Sequence, residues 1–296
     1  DASMTLLVTQ AGLAPAKLQP LKDGVLDLAS KVGFSATELS HSLFHIESGF
    51  ASMGISSADA LKMTEVAAKG AAVGHSDLVR TTTALTAVMA SGYVPITKVG
   101  DAMGVLNAMV GSGEMTMEDL TKAFSGGALA VVKGFGATIQ DAGAALAVFG
   151  DNNIRGAAAG TMFRMSVQAL AQPVATAKTY LKEFGMTHDT LAKDMQKGGM
   201  KLALQDLEDH FKKAGIGAKE QGQVITEMFG KKAGAGVSGL LGQYDRTLSK
   251  YEEMDKGVHK FGAAWETTKK TLSQQFKSIG AGIDSVLIRI GEKLIP

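Results

Sequence analysis

The chain contains no cysteine. Disulfides, thiolate metal sites and cysteine nucleophiles are thereby excluded, and the redox compartment stays undetermined. Proline is scarce, five in 296 residues, which leaves room for long helices. Aromatic residues reach only 6%, while glycine (36) and alanine are plentiful, so elements can approach one another closely. A net charge of +1 creates no field that would gather nucleic acid or an anionic membrane. No charged-then-apolar signal pattern opens the sequence, and it begins with Asp1, so the expectation is a fragment of a longer protein. There is no apolar run of about 18 residues of the kind that spans a bilayer. The nearest, Ala123 to Gly150, is interrupted by Lys133, Gln140 and Asp141.

What is present is punctuation. "GFSATE" begins at Gly33, "GISSAD" at Gly54, "GHSD" at Gly74, "GYVP" at Gly92, "GEMTMED" at Gly113 and "GATIQD" at Gly136. In each unit a glycine suits the left-handed end of one helix. A Ser or Thr shortly after suits the N-cap of the next, with Pro95 filling the first-turn role once. Ser35/Glu38, Ser56/Asp59, Thr116/Asp119 and Thr138/Asp141 have the spacing of capping boxes. Between these signals apolar residues advance by three or four, as in Leu39, Leu43, Ile46, Phe50 and Met53. No alternating strand pattern competes. The fold class expected is all-α: an array of short antiparallel helices with a quasi-repeat of about 20 residues, followed by a long C-terminal helix or helix pair. Along the chain this divides into a repeat region (1–150), a continuation (151–243) and a final amphipathic segment (244–296).

That final segment carries one apolar seam. Tyr244, Leu248, Tyr251, Met254, Val258, Phe261, Trp265, Leu272, Phe276, Ile279, Ile283, Val286 and Ile290 fall almost entirely at three- and four-residue steps. A single helix of that length would reach about 75 Å, and Gly280 and Gly282 are where it would kink or divide. So long a seam needs a partner, either within the chain or in an oligomer.

Candidate chemistry is sparse. "GDNNIRGAAAGTMFRM" (Gly150 to Met165) places Asp151, Asn153, Arg155 and Gly156 at EF-hand positions one, three, five and six. Arg155 is a cation where an oxygen ligand is required, and Met162 stands where the bidentate Glu belongs. The same stretch lacks the Gly-Lys-Ser/Thr of a phosphate loop. It reads instead as a helix start capped by Asp151 or Asn152, with Ala157, Ala158, Ala159 and Gly160 permitting close helix contact. Glu38, His41 and His45 share one helix, but Ser42 occupies the place where a zincin carries its Glu. They read as a polar flank beside Leu39, Leu43 and Ile46. "GFGATI" from Gly134 lacks a third glycine and a preceding strand. "FGKKAGAG" from Phe229 lacks the upstream glycine and the hydroxyl of a Walker loop. Lys212/Lys213, Lys231/Lys232 and Lys269/Lys270 read as solvated faces, and His188, His210 and His259 share no spacing. No catalytic, cofactor or metal residue is assigned, and the chain reads as non-enzymatic.

The order of these helical units resembles the core region of phage tail tape-measure proteins. The segments that carry the resemblance are "LLVTQAGLAPAKLQPLKDGVLDLASKVGFSATELSHSLFHIESGF", "GISSADALKMTEVAAKGAAVG", "NNIRGAAAGTMFRMSVQALAQP", "LKEFGMTHDTLAKDMQKGGMKLALQDLEDHF", "ITEMFGKKAGAGVSGLL" with Phe229-Gly230, and "SIGAGIDSVLIRIGEKLIP". Each is degenerate alone; together they cover nearly the whole chain. The resemblance implies a mainly helical virion component that lies in the tail lumen or at the tip. There it sets tail length during tube polymerisation and leaves ahead of DNA at ejection. It further implies tail tube and tail tip proteins as partners, contact with the host membrane during ejection, and the host cytoplasm as the place of assembly. No catalytic residue and no sequence-specific nucleic-acid contact is carried over. Together with the seam, it leads us to expect a homo-oligomer, a trimer. The alternative reading is a membrane-active helical channel, for which the Gly/Ala-rich stretch from Ala123 to Gly150 is the candidate.

Overall fold

The computed structural model describes residues 2–50 and 53–294, and among these no strand occurs. The helices are α1 (Ala2–Thr9), α2 (Leu18–Val32), α3 (Ala36–Phe50), α4 (Ser57–Val73), α5 (Leu78–Ala90), α6 (Val99–Ser112), α7 (Met117–Phe124) and α8 (Ala128–Gly134). They continue as α9 (Ile139–Asp151), α10 (Gly156–Ala171), α11 (Ala175–Glu183), α12 (Thr190–Lys213), α13 (Ala218–Leu241), α14 (Tyr244–Thr268) and α15 (Leu272–Leu294). The all-α reading is thus borne out.

Local signals place many of the helix starts. Thr116 and Asp119 open α7, and Thr138 and Asp141 open α9, as reciprocal capping boxes. Ser35 and Glu38 exchange the same pair of bonds at the start of α3, at 2.9 and 3.2 Å. Ser56 caps Asp59 N–H at 3.1 Å at the start of α4. Of the punctuating glycines, Gly33, Gly54, Gly92 and Gly136 have positive φ, but Gly74 keeps φ −86° and His75 takes the left-handed position instead.

Two compact units result. The first comprises Asp1–Ala90, Val94–Asn107 and Val258–Pro296; the second comprises Ser91–Tyr93 and Ala108–Gly257. In the first unit α3 packs against α1, α4 and α5, while α2 is covered by α15. The core holds Leu39, Leu43, Ile46, Met63 and Leu85, all fully buried, and Ser42 and Thr82 satisfy each other within it at 2.7 Å. Where α4 meets Met103 the contact depends on Gly70, whose missing side chain leaves room for the thioether.

In the second unit α10 is the hub, touching α7, α8, α9, α12 and α13. Its close approach to α7 uses Gly160, because a Cβ there would run into the Ala123 backbone. Every residue of α9 from Asp141 to Gly150 is buried. That explains the apolar run from Ala123 to Gly150: it is divided among the end of α7, α8 and α9, and α9 is apolar all round because it is enclosed. No helix among the described residues is long and apolar enough to cross a membrane.

Candidate functional site

The polar chemistry of the second unit converges on Asp141, which is fully buried. Its Oδ2 accepts from Thr138 N–H at 2.7 Å and from Met200 N–H at 2.9 Å. Its Oδ1 accepts from Lys201 N–H at 3.1 Å and from the Tyr251 hydroxyl at 2.6 Å. Met200 and Lys201 restart α12 after a break at Gly198 and Gly199, the latter at φ 70°, ψ −162°. One carboxylate therefore caps α9, caps the second half of α12 and anchors α14. Only glycine fits at 199, since a Cβ would collide with Asp141 Oδ2. The Lys201 ammonium lies 5.3 Å from the centre of the Tyr251 ring. Burial first, and then the Asp141 charge, raises the Tyr251 phenol well above its ordinary value, so it remains a donor. Tyr93, which donates to Ala137 O at 2.9 Å, is raised for the same reasons. Both Asp141 oxygens hold two donors each and face helix termini, so the arrangement positions elements and does not present a base to a substrate.

The stretch around Asp151 corrects the expected helix start. Asp151 and Asn152 finish α9 instead of capping α10, whose N-cap is Arg155 with no side-chain bond. The cause is a Schellman turn: Ile154 N–H reaches Phe149 O at 2.8 Å, Asn153 N–H reaches Gly150 O at 2.8 Å, and Asn153 adopts φ 62°. Asp151 is then free to receive cations from α14, Arg246 at 2.7 Å and Lys250 at 3.3 Å. These are charge contacts without an aligned N–H at Oδ2. Lys250 also donates to Ser112 O. Arg155 pairs with Glu114 at 3.0 Å on the surface. Of the small residues that follow, Ala159 and Gly160 are buried and Ala157 and Ala158 are exposed.

The remaining candidates fall on helix ends and surfaces. Glu38 is engaged with Ser35, His41 and His45 are exposed, and burial together with His41 lowers the His45 imidazole below its ordinary value. Among the described residues no three His, Asp or Glu side chains are placed to hold a metal. "GFGATI" is the turn from α8 into α9, and "FGKKAGAG" lies inside α13 at a break where Gly230 has φ 75°. Lys213, Lys231, Lys232 and Lys270 are exposed. Lys212 pairs with Glu208 at 3.2 Å and Lys269 pairs with Glu266.

The C-terminal seam behaves in two ways. It does not break at Gly280 or Gly282, which lie inside α15; it breaks before Thr271, whose Oγ1 accepts from Gln274 N–H at 3.3 Å. The signal was present as Thr-x-x-Gln, a capping-box spacing not read from the sequence. In α14 the seam is buried or half-buried throughout, with Met254 at 0% exposure and Trp265 at 8%. In α15 it faces out: Phe276 is 71% exposed, Ile279 59%, Ile283 57%, Val286 55% and Ile290 49%, and Leu287, outside the seam but beside it, is 60% exposed. The opposite face of α15 is the one that packs on α2. Gln274 Nε2 donates to Val32 O at 2.5 Å, Arg289 pairs with Asp27 at 2.5 Å, and Ala281 and Ser285 are buried. Gly282 lies over Ser30 and brings the two helices close. Ile279, Gly282, Ile283, Val286 and Leu287 line a shallow groove on the outer side. Together these side chains form an exposed apolar stripe along the outer side of α15.

The family described as phage-related minor tail protein matches residues 22–230. The tape measure protein of Pneumococcus phage Dp-1 is 22% identical over 302 residues, an alignment that takes in 100% of this chain and 25% of that protein. The chain thus spans about a quarter of the length of the curated relative it matches. No solved structure matches. The resemblance to tape-measure proteins drawn from the helical motifs agrees with both findings.

Proposed function

The chain belongs to the phage-related minor tail protein family, and from that premise we propose that it is a segment of a tail tape-measure protein. In this reading it lies in the tail lumen or at the tail tip, contacts tail tube and tip proteins, and is made and assembled in the host cytoplasm. The protein of which it is part sets tail length while the tube polymerises and leaves ahead of DNA at ejection. The chain works by assembly and not as an enzyme. Its most polar cluster, around Asp141, has both carboxylate oxygens taken up by helix-terminal N–H groups and a tyrosine.

The observation that carries this reading is the similarity to a tape measure protein along the entire chain. The direct test is cryo-electron microscopy of intact tails. Density that fits these helices inside the lumen or at the tip supports the assignment, and tails with no such density overturn it. The length-setting role is tested separately, by in-frame insertions and deletions in the parent protein. Tail length measured on micrographs should change in proportion to the residues added or removed; a constant length removes that role.

A further inference from the structure

We propose that Asp194 and Asp206 form a proton-operated latch across the break in α12. Sharing one proton, the two carboxyls hold residues 190–197 against the second half of the helix; with both ionised, that first half loosens. The break at Gly198 and Gly199 is what brings them together. On a straight helix these two positions would stand about 18 Å apart. Here the Asp206 carboxyl lies within hydrogen-bonding reach of Asp194. Asp194 Oδ2 is buried and meets no donor. Two ionised carboxylates so placed repel, whereas one proton between them turns the contact into a hydrogen bond and satisfies the buried oxygen.

The two halves of α12 are held unequally. The second half is tied at its start, where Asp141 accepts from Met200 N–H and Lys201 N–H, and it buries Met200, Ala203, Leu204, Leu207 and Phe211. The first half buries only Leu191 and Met195, so it is the half that moves when the contact is lost. The charges acting on Asp194 all lie on α12. Burial first, and then the Asp206 carboxylate, keeps its proton up to about pH 6, against the pull of Lys197 and His210. His210 is engaged with Asp206, its Nδ1 lying 2.8 Å from the main-chain oxygen and 3.5 Å from Oδ1. The helices that meet α12 bring their titratable groups elsewhere along it. Asp141 of α9 faces Met200 and Lys201, while Tyr251 and Tyr244 of α14 lie against Lys201 and Lys212. Among the described residues α10 and α13 set no charge against Asp194. A folded-state value raised above the ordinary 3.8 means the latch is fully closed below about pH 4 and opens as pH rises through 6.

This device is independent of the assembly reading above. The test is amide hydrogen exchange of the 296-residue chain, read by mass spectrometry between about pH 5 and 7.5 and corrected for the intrinsic exchange rate. Protection of residues 190–197 should fall about tenfold across that range, while residues 200–211 keep theirs. Asp194→Asn and Asp206→Asn each put a permanent N–H donor in the place of the shared proton. In both variants protection of 190–197 should stay high and flat with pH. His210→Gln should keep the parent's pH dependence, which separates the carboxyl pair from the imidazole. Protection of 190–197 that is flat in the parent overturns the proposal, as does a fall that both Asn variants retain. A fall abolished by His210→Gln overturns it by making the imidazole the switch. A fall shared equally by residues 200–211 overturns it by showing that the whole unit, and not one half of α12, responds.

Discussion

Helices α14 and α15 share one apolar spacing and meet at Thr271, yet Met254 and Tyr251 on α14 are enclosed while Ile279 and Ile283 on α15 stand in water. The difference lies in what each helix is anchored by. α14 brings its large side chains inward and adds polar ties, Tyr251 to Asp141 and Lys250 to Asp151. α15 is held by its small and polar face, Ala281, Gly282, Ser285 and Gln274, and its large side chains are left over. Hydrophobic periodicity therefore identifies an apolar face without saying whether this chain buries it.

The comparison is broken most severely at Asp141. Asp141→Ala strands three backbone N–H groups and the Tyr251 hydroxyl in a buried setting. The expected loss is about 4 kcal/mol, or failure of the second unit to fold, since each buried donor left unpaired costs about 1–3 kcal/mol. Urea unfolding followed by circular dichroism measures it. A loss under about 1 kcal/mol would show that α14 is held by packing alone.

The next test sets the two seams against each other. Met254 is fully buried and fills the space left by Gly143. Met254→Ala should cost about 3 kcal/mol through lost burial and the cavity left behind. Ile283→Ala on α15 should change the stability of the monomer by less than about 0.5 kcal/mol. Equal effects on monomer stability would erase the contrast.

Much of this was legible in the sequence, and the failures have physical causes. The helix starts at Thr116 and Thr138 were readable because a capping box is local and complete within four residues. The end of α9 was not, because a Schellman turn closed by Asn153 uses backbone geometry that Asp151 and Asn152, as good cap residues, disguise. Asp141 was recognised as a cap for α9, but its bonds to Met200 and Tyr251 cross 59 and 110 residues and leave no local mark. Gly198-Gly199 within an otherwise helical stretch was the available signal for the break in α12. The seam from Tyr244 to Ile290 was visible in full, while the outward placement of its second half was not, because Ala281 and Ser285 gave no hint that α2 would take the opposite face.

A smaller effect is expected from pH, and it probes the break that Asp141 secures. Asp194 precedes that break on α12, and burial, followed by the Asp206 carboxylate, raises it to about 6 from an ordinary value near 3.8. A raised carboxyl binds its proton more tightly in the folded state, so its contribution to stability is present below pH 4 and lost as pH rises through 6. With solvent screening of a half-buried group the amplitude is about 1 kcal/mol. Asp194→Asn should flatten this part of the stability profile between pH 4 and 6 and leave the protein more stable at pH 7. An unchanged slope in the variant would assign the pH dependence elsewhere.

The smallest effect is expected at the ion pair that ties α15 to α2. Arg289 and Asp27 approach to 2.5 Å, but their side chains are 44% and 61% exposed. Pairs of that kind contribute about 0.2–1 kcal/mol and are screened by salt. Arg289→Ala should therefore lower stability by only about 0.3 kcal/mol, and the difference from the parent should vanish in 1 M NaCl. A loss above about 1.5 kcal/mol, insensitive to salt, would mean that α15 is held chiefly by charge. In that event the buried Gln274 bond and the Ala281–Ser285 contact could not be what sets the helix with its apolar side outward.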